Sequence, residues 1–475
     1  MSLHPPIAIT CFKAYDVRGE LDVNLDNTIA YRIGRAFAEY LNPSFENSKV
    51  IVIGSDIRPS SDDLKKSTID GILDAGVDVI DLGMSGTEEV YFATSFYHAI
   101  GGIEITASHN PINYNGLKMV RENSKPISAD TGLTDIRKIA EQGSFITPAV
   151  RGKYQLKNDK TAYIDKLMGF IDTGKFTPKT IVINSGNGSA GPVVDELEKR
   201  LGSQIKLIKI HHQPNGSFPN GIPNPMIIAN QEVTSKAVIT YAADFGVAFD
   251  GDFDRCFFFD ESGRFIDGSY VVSMLAEAFL NKHKGESIVY DPRVVYNTQS
   301  VIAQHGGIAQ ISKSGHSFIK QVMRKTQAVY GGEMSAHHYF RDFAYCDSGM
   351  IPWLLVIELL SNTGKSLSEL VNGYIDDFPS SGELNFRLNT LTADDICKQL
   401  ESQYSKDTPS KNTLDGLSLD FGTWRFNLRS SNTEPLIRLN IETKGDKALL
   451  QAKTEEILQL LAKSGTISAD ASLSL

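Results

Sequence analysis

The sequence predicts an α/β protein in which three similar mixed α/β domains and a smaller C-terminal α+β domain surround a central cleft. Three β-branched runs, at 49–54, 180–184 and 287–291, each end in small or polar residues. Such runs are typical of strands buried on both faces, as in parallel sheets covered by helices. Each is followed by a helix-like segment, a second apolar run and a third run that ends in a polar loop. Ligands of such sheets bind beyond the carboxyl ends of strands, so the three loops are expected to converge on one cleft.

The three repeats differ in the chemistry of their final loops. The first loop contains Ser108, the second is rich in aspartate at 250–255, and the third reads Gly-Gly-Glu-Met-Ser-Ala-His at 331–337. A turn-rich segment at 376–382 then precedes alternating apolar runs and an amphipathic stretch at 448–461, which predict antiparallel strands and a helix. The predicted domains are residues 1–152, 153–256, 257–373 and 376–475.

Composition limits the class of protein. With 41% hydrophobic and 22% charged residues, the chain has the composition of a globular enzyme. Its net charge of −10 argues against partners such as nucleic acid or an anionic membrane surface. The four cysteines are far apart and form no CxxC pair, which fits a reducing compartment. The first residues lack a signal-peptide pattern and no apolar stretch reaches the length of a membrane span, so we expect a cytoplasmic protein.

The first loop, Thr106-Ala-Ser-His-Asn-Pro111, places a serine directly after a buried strand. A serine in that position, between small and polar neighbours, is suited to carrying a transferable group. The alternative is an ordinary strand-to-loop turn that contains a serine.

The second loop, Asp250-Gly-Asp-Phe-Asp-Arg255, alternates three aspartates, so an extended backbone can direct three carboxylates at one centre. Three carboxylates that lie so close together repel one another unless a cation lies between them. Oxygen ligands alone select a hard ion, and Mg²⁺ is preferred over Ca²⁺ when phosphate is also present. Arg255 would add a second positive charge for a phosphoryl group. The alternative is a solvated acidic turn.

Near the C-terminus, Arg429-Ser-Ser-Asn-Thr-Glu-Pro435 and Arg438 combine two guanidinium groups with three hydroxyls and an amide. Hydroxyls and backbone N–H groups in a turn, together with a forked arginine, form a phosphate cradle. A polar hairpin turn is the alternative. A further glycine-rich motif, Gly186-Asn-Gly-Ser-Ala-Gly191, matches GxGxxG, but the next strand ends in Lys209-Ile-His-His212 rather than in an acidic residue. We therefore interpret it as a tight strand-to-helix turn and not as a dinucleotide site.

These loops, with Phe12-Lys-Ala-Tyr-Asp-Val-Arg-Gly19 at the start and Gly332-Glu-Met-Ser-Ala-His337 between them, resemble those of the α-D-phosphohexomutases in order and spacing over nearly the whole chain. The resemblance implies four domains around a cleft, a phosphoserine at Ser108, bound Mg²⁺ and a hexose 1,6-bisphosphate intermediate. It implies metal ligation by Ser108 and the three aspartates of the second loop, Asp250, Asp252 and Asp254. The catalytic group it implies is Arg18, Ser108, His109, Lys118, Arg255 and His316. The implied contacts to the phosphorylated hexose are Tyr15, Arg293, Glu333, Ser335, His337, Arg429, Ser431, Asn432, Thr433 and Arg438.

Within the family, Glu333-Met-Ser-Ala-His-His-Tyr-Phe340 and Gly83-Met-Ser-Gly-Thr-Glu-Glu-Val-Tyr91 resemble the bacterial phosphomannomutases. One departure is Arg293, where related enzymes are expected to have lysine, and a forked guanidinium does not contact a ligand as a point charge does. The expected reaction is the interconversion of mannose 6-phosphate and mannose 1-phosphate. Phosphoglucomutase or dual specificity stays open, as do a Mg²⁺-dependent phosphatase and a non-catalytic phosphosugar-binding protein. Lys118, His316 and Arg18 are the candidates for the general base, and His109 is a neighbour that shapes the serine.

Overall fold

A computed structural model of the protein describes residues 5–42, 49–146, 148, 150–388, 391–430 and 436–463. The chain divides into two units, one of Met1–Phe265 with His337–Leu367, the other of Ile266–Ala336 with Ser368–Leu475. The serine and aspartate loops lie in the first unit, and the strand that carries Arg429 lies in the second.

The N-terminal domain is a mixed sheet with helices. Its elements are β1 (Val17–Glu20), α1 (Asn27–Leu41), β2 (Val50–Ser55), α2 (Ser61–Asp74), β3 (Asp78–Met84), α3 (Thr87–Phe96), β4 (Gly101–Ile105), β5 (Tyr114–Arg121), β6 (Lys125–Pro126), α4 (Thr134–Gln142) and β7 (Tyr154–Leu156). The strand order is β1-β5-β4-β2-β3-β7, and β6 pairs with β5. β2 lies between β3 and β4, and both pair with it in parallel. The fully buried Ile51, Val52 and Ile53 of β2 explain its continuous apolar sequence.

The second domain repeats this arrangement. Its elements are α5 (Thr161–Met168), β8 (Lys179–Asn184), α6 (Gly191–Leu201), β9 (Ile205–Ile210), α7 (Ile228–Thr240), β10 (Phe245–Phe249) and β11 (Cys256–Asp260). β8 is central, with β9 and β10 parallel to it on either side. β11 pairs antiparallel with β10, so this sheet continues to Asp260, past the boundary predicted at residue 256.

The third region contains α8 (Gly268–Lys282), β12 (Ser287–Tyr290), α9 (Tyr296–Gln304), β13 (Ile308–Ile311), α10 (His316–Thr326), β14 (Tyr330–Gly332), β15 (His338–Phe340), β16 (Cys346–Asp347), α11 (Met350–Thr363) and α12 (Leu367–Asp377). β12 again lies between two parallel neighbours, β13 and β14. In all three domains the first strand is central, with the second on one side and the third on the other, which confirms the predicted repeat. β15 and β16 form an antiparallel hairpin, which belongs with α11 to the first unit.

The C-terminal domain has the predicted α+β architecture. Its elements are β17 (Leu384–Arg387), α13 (Ala393–Tyr404), β18 (Ser410–Asn412), β19 (Leu417–Asp420), β20 (Trp424–Ser430), β21 (Leu436–Thr443) and α14 (Lys447–Lys463). The strands form an antiparallel sheet in the order β17-β21-β20-β19-β18. Phe426 and Leu428 of β20 and Ile437 and Leu439 of β21 are fully buried in its core.

The cysteines and the helices are the features of the structure that correspond to the expectations from composition. The four cysteines are free thiols, three of them buried. Among the helices of the described ranges, none combines the length and the apolar character needed to cross a membrane.

Candidate active site

Ser108 lies beyond the end of β4 in a backbone conformation with φ of 49°, in the left-handed region that non-glycine residues rarely adopt. Its side chain is buried, and its hydroxyl donates to Asp250 Oδ2 at 2.9 Å. Its amide donates to Thr106 Oγ1 at 2.8 Å. A strained backbone conformation of this kind persists only where the surrounding structure holds it in place, and such conformations are common in the loops of active sites.

Arg58 is the main support of the serine loop. This guanidinium is almost fully buried and donates to four carbonyl oxygens of the loop: those of Ser108 (2.9 Å), Asn110 (2.6 Å), Pro111 (2.9 Å) and Tyr114 (3.1 Å). Such a set of contacts fixes the direction in which Ser108 points. We did not select Arg58 from the sequence.

The three aspartates of the second loop are buried behind Ser108. Gly251 lets the two loops meet closely, because a Cβ there would lie only 2.5 Å from the carbonyl oxygen of Ser108. One oxygen of each carboxylate is bound by a donor. Asp250 Oδ2 accepts from Ser108 and Arg255, Asp252 Oδ2 from Lys118, and Asp254 Oδ2 also from Lys118.

The other oxygen of each carboxylate fits a metal ion. Oδ1 of Asp250, Asp252 and Asp254 is buried and has no hydrogen-bond partner among the described residues. The three side chains each offer a ligand atom within 4.8 Å of the others. Buried carboxylate oxygens without a donor are costly unless a cation occupies the space between them. Three oxygen donors of this kind suit a hard divalent cation.

Lys118 holds Asp252 and Asp254 together from the other side. Its Nζ donates to Asp252 Oδ2 at 2.7 Å and to Asp254 Oδ2 at 2.5 Å. Burial alone would lower the pKa of Lys118, but the two carboxylates raise it above its ordinary value. Burial alone would likewise raise the pKa of Asp252, whereas the Lys118 ammonium lowers it. Lys118 is therefore protonated in this arrangement.

Arg255 and His109 lie beside the serine hydroxyl. Arg255 donates through Nε and Nη2 to Asp250 Oδ2 at 2.9 and 2.7 Å, and through Nη2 to His109 Nδ1 at 2.5 Å. Because a guanidinium only donates, Nδ1 accepts and the imidazole proton lies on Nε2. Burial, together with the charge of Arg255, lowers the pKa of His109 well below its ordinary value. His109 is therefore a neutral side chain whose Nδ1 accepts from Arg255 and lies 3.0 Å from Ser108 Oγ.

Three further predicted residues lie in the first unit. Arg18 donates to the carbonyl oxygen of Thr106 at 3.0 Å and to Asp16 at 2.6 Å. His337 Nε2 lies 3.9 Å from Asp254 Oδ1. Tyr15, at the start of this region, is partly buried.

The hairpin that follows His337 is attached to the N-terminal domain through Glu88. This carboxylate is fully buried at the start of α3 and accepts from the hydroxyls of Tyr163 and Ser348 at 2.5 and 2.8 Å. It also accepts from the amides of Gly349 and Met350 at the start of α11, at 2.6 and 3.2 Å. Glu88 therefore joins the start of α3 to the start of α11.

The GxGxxG motif lies in the turn between β8 and α6, where the sequence predicts a tight strand-to-helix turn. A Cβ at Gly188 would lie 2.7 Å from the carbonyl oxygen of Gly251, and one at Gly191 would lie 2.2 Å from that of His212. Gly188 therefore allows the turn into α6 to pack against the aspartate loop, and Gly191 allows the start of α6 to pack against His212.

The second unit contains a separate cluster around Arg293. Arg293 forms a two-pronged ion pair with Asp291, with Nε–Oδ1 3.0 Å and Nη2–Oδ2 2.7 Å. Its Nη2 also donates to Ser335 Oγ at 3.2 Å and lies 3.7 Å from Glu333 Oε1. Glu333 Oε1 in turn accepts from the amide of Gly315, at 2.7 Å. Three predicted contact residues, Arg293, Glu333 and Ser335, are thus brought together.

Arg429 and Arg438 meet in the same unit. They are directly opposite on the antiparallel strands β20 and β21, and Glu383 lies between their side chains. Glu383 Oε2 accepts from Arg429 Nη2 at 3.0 Å, and Oε1 accepts from Arg438 Nη1 at 2.8 Å. Arg293 Nη1 lies 3.6 Å from Glu383 Oε2, which links the two clusters.

His316 is the first residue of α10 and follows Gly315, the residue bound by Glu333. The remaining predicted contacts of the phosphate cradle, Ser431, Asn432 and Thr433, lie outside the described residues. Five residues that support these sites were not selected from the sequence: Asp56, Arg58, Thr87, Glu88 and Glu383.

Comparison with known proteins identifies the family. Models of the phosphoglucomutase/phosphomannomutase alpha/beta/alpha domains I, II and III match residues 10–147, 161–263 and 267–378, and the C-terminal domain model matches residues 383–460. The chain belongs to the phosphoglucomutase/phosphomannomutase family. Within these family domains, the serine loop lies in domain I, the aspartate loop in domain II, Glu333 in domain III and Arg429 in the C-terminal domain.

Relatives within the family are similar over almost the full length. A phosphomannomutase of Salmonella montevideo is 55% identical over 458 residues, which cover 95% of this chain and 99% of that protein. A phosphomannomutase of Vibrio cholerae serotype O1 is 52% identical, covering 96% of this chain and 99% of its own. The solved structure of a phosphoglucomutase/phosphomannomutase family protein from Burkholderia thailandensis matches with a TM-score of 0.85 at 31% identity, covering 96% of this chain and 99% of that one.

Proposed function

We propose that this chain is a phosphomannomutase, which interconverts mannose 6-phosphate and mannose 1-phosphate through a phosphoserine at Ser108 and a hexose 1,6-bisphosphate. The observation that carries the proposal is the hydrogen bond from the Ser108 hydroxyl to Asp250, beside three buried carboxylate oxygens without donors. Relatives named phosphomannomutase, 52–55% identical over nearly the whole chain, support mannose as the sugar.

In the proposed reaction, Ser108 is the phosphoryl carrier. The bond between phosphorus and the serine oxygen breaks while a bond forms between phosphorus and a free hydroxyl oxygen of the hexose phosphate. The hydroxyl proton passes to a base, and the serine oxygen keeps the electron pair of the broken bond. Transfer of the other phosphate of the bisphosphate back to Ser108 completes the isomerisation. The support that Arg58 gives the loop would hold the serine oxygen in one position through both transfers.

Mg²⁺ is the proposed metal, held by Asp250, Asp252 and Asp254 through the oxygens that have no donor, with the serine group next to them. When bound, it would neutralise charge on the moving phosphoryl group. Arg255 adds a fixed positive charge, since it is held by Asp250 and His109 at hydrogen-bond distance. A guanidinium that does not have to reorient stabilises developing negative charge efficiently.

The charge states narrow the choice of proton acceptor. The pKa of Lys118 is raised by Asp252 and Asp254 in spite of burial, and that of Arg18 is raised by Asp16 in spite of burial. Both are cations and poor acceptors, so their proposed role is to bind phosphate oxygens. Among the three candidate bases we therefore favour His316.

The proposed cradle for the phosphate that does not react consists of Arg429 and Arg438, with Ser431, Asn432 and Thr433 between them in sequence. Arg429 is mostly buried, and its Nε has no hydrogen-bond partner within the described ranges. A buried guanidinium with a donor to spare suits a bidentate contact with phosphate. The sugar hydroxyls are assigned to Glu333 and Ser335.

The test is a coupled assay of mannose 1-phosphate and glucose 1-phosphate at matched concentrations, with inorganic phosphate measured in the same samples. Turnover of mannose 1-phosphate to the 6-phosphate, dependent on added Mg²⁺ and a trace of hexose 1,6-bisphosphate, is expected. Faster turnover of glucose 1-phosphate would replace the assignment by phosphoglucomutase. Phosphate release as the main product would replace it by a phosphatase.

A further inference from the structure

Glu383 lies where an anion is least expected, between the arginines of the proposed phosphate cradle. Its carboxylate is about nine-tenths buried, and each of its oxygens contacts a different guanidinium, that of Arg429 at 3.0 Å and that of Arg438 at 2.8 Å. We refer to Arg293, Glu383, Arg429 and Arg438 as the counter-ion cluster.

The positions of the two arginines explain why an anion is needed there. Arg429 and Arg438 are directly opposite in neighbouring antiparallel strands, and like charges in such a pair repel each other. Glu383 precedes β17, which pairs with β21 on the other side, so its side chain reaches both guanidinium groups. Without a counter-ion, a buried Arg429 and a partly buried Arg438 would face each other as like charges.

Two guanidinium groups of the cluster share one carboxylate. Arg293 already has Asp291 as a close partner, with two contacts of 3.0 Å or less. Glu383 then supplies one negative charge and two acceptor oxygens to Arg429 and Arg438 together. A phosphate monoester dianion offers nearly two charges and three acceptor oxygens, so it suits the same arginines better than the carboxylate does.

We propose that Glu383 is the internal counter-ion of the cradle: it keeps Arg429 and Arg438 in place while no phosphate is bound, and it competes with phosphate for them. The inference deepens the proposed function, on which it rests for the identity of the anion. The carboxylate would also discriminate between anions. Its replacement by a monoanion leaves the negative charge beside the arginines unchanged, whereas its replacement by a dianion adds one negative charge.

If Glu383 competes with phosphate, its replacement should strengthen phosphate binding. Replacement of a residue that only positions the arginines should weaken it. In Glu383→Gln the side chain keeps its size but loses the charge that repels an incoming phosphate. We expect inorganic phosphate to bind at least about tenfold more tightly, because a carboxylate a few ångströms away repels an incoming dianion even at an effective dielectric constant of about 20. The phosphate-free variant should melt at a lower temperature than the unchanged chain, and added phosphate should reverse that loss.

The experiment is isothermal titration calorimetry of the full chain with inorganic phosphate at about pH 8, where phosphate is largely dianionic. The variants are Glu383→Gln, Glu383→Gln with Arg429→Ala, and Glu401→Gln as the matched control. Glu401 forms a half-exposed ion pair with Lys411 in the same domain, so its loss should leave phosphate binding unchanged. The double variant should lose the gain in affinity, which assigns it to this cradle.

Unchanged or weaker phosphate binding by Glu383→Gln would overturn the proposal and leave Glu383 as a purely positioning residue. If that variant does not fold, Glu383→Asp replaces it. The shorter side chain holds its carboxylate farther from both arginines and competes less for them, so this variant should also bind phosphate more tightly than the unchanged chain. A chain that shows this pattern but interconverts no hexose phosphate would contradict the proposed function and not the role of Glu383.

Discussion

Thr87 donates its hydroxyl to Asp252 Oδ2 at 2.6 Å, and its amide donates to the carbonyl oxygen of Asp252, although the two residues are 165 positions apart. With Lys118 on the same Oδ2, the contact turns the other oxygen of Asp252 toward the proposed metal site. Thr87 is therefore expected to set the orientation of a ligand without touching the metal itself.

Thr87→Val tests this orientation, because it keeps the shape of the side chain and removes the donor. We expect the Mg²⁺ concentration for half-maximal activity to rise by about 10- to 100-fold, as for other partners of metal ligands. Thr161→Val is the control, since that hydroxyl bonds to Asp159 at 2.7 Å on the surface. An unchanged Mg²⁺ requirement would show that Lys118 alone orients Asp252.

Arg58→Lys should damage the serine loop. A lysine ammonium cannot reach the four carbonyl oxygens that the guanidinium binds, and Asp56 would lose a close partner in a buried site. We expect a loss of about 3–5 kcal/mol in the free energy of unfolding, the range for breaking a buried pair. Denaturant unfolding measures it, with Arg200→Lys, an exposed pair with Asp165, as the control. A loss as small as in the control would contradict the assigned role.

The repeated domains could be predicted from the sequence because strands buried in a parallel sheet have continuous apolar sequences, such as Ile51 to Ile53. The proposed reactive residues could also be selected from the sequence, since Ser108 and the three aspartates directly follow such strands. Their supporting contacts were not, because they join positions far apart in the chain: Glu88 with Ser348, and Glu383 with Arg429. No local pattern in the sequence encodes such a pairing.

One supporting motif did leave a signal that the sequence reading missed. Asp56-Ile-Arg58 and Asp291-Pro-Arg293 follow the first strands of two repeats. In both, the arginine amide donates to the aspartate Oδ1, at 3.0 and 2.9 Å, and the guanidinium pairs with the same carboxylate. Aligning the repeats with each other would have identified Arg58 from Arg293.

Glu88 should make stability depend on pH. Burial raises its pKa from an ordinary 4.5 to about 8 in the folded chain. Between these values the folded state binds more protons than the unfolded state, so stability is lost as pH rises and the loss is complete above about pH 8. The slope from this group is at most about 1.4 kcal/mol per pH unit.

The measurement is the free energy of unfolding of the unchanged chain and of Glu88→Gln at several pH values in that window. The difference between the two should move in favour of the glutamine variant as pH rises, because glutamine does not titrate. A difference that stays constant would mean that Glu88 is ionised throughout and is stabilised by its four donors.

The isolated protein is expected to carry phosphate on Ser108 in at least part of the sample. The hydroxyl donates to a carboxylate and lies beside a neutral His109 whose Nδ1 is taken by Arg255. Arg255 binds the same Asp250 oxygen and leaves a fixed positive charge beside the serine, which suits a phosphoryl group carried there. Intact mass and peptide mapping should find the phosphate, and Ser108→Ala should abolish it together with mutase activity. Full activity in Ser108→Ala would refute the phosphoserine mechanism.

The last prediction separates a mutase from a phosphatase. A mutase binds its substrate in two orientations, and in both the phosphate that does not react needs the same cradle. Arg429→Ala should therefore weaken the reactions of mannose 1-phosphate and mannose 6-phosphate together, by about 2–5 kcal/mol in transition-state stabilisation. The loss has two parts, since the phosphate loses a guanidinium and Glu383 loses one of its partners.

The measurement is kcat/KM for both substrates in Arg429→Ala, with Arg387→Ala as the control because Arg387 is an exposed arginine on β17 of the same sheet. A phosphatase would use the cradle in one orientation, and hydrolysis of the phosphoserine itself would not use it at all. Comparable losses for both substrates therefore support the shared cradle. A large loss for one substrate with none for the other would remove Arg429 from the contacts common to both directions and favour two separate phosphate sites.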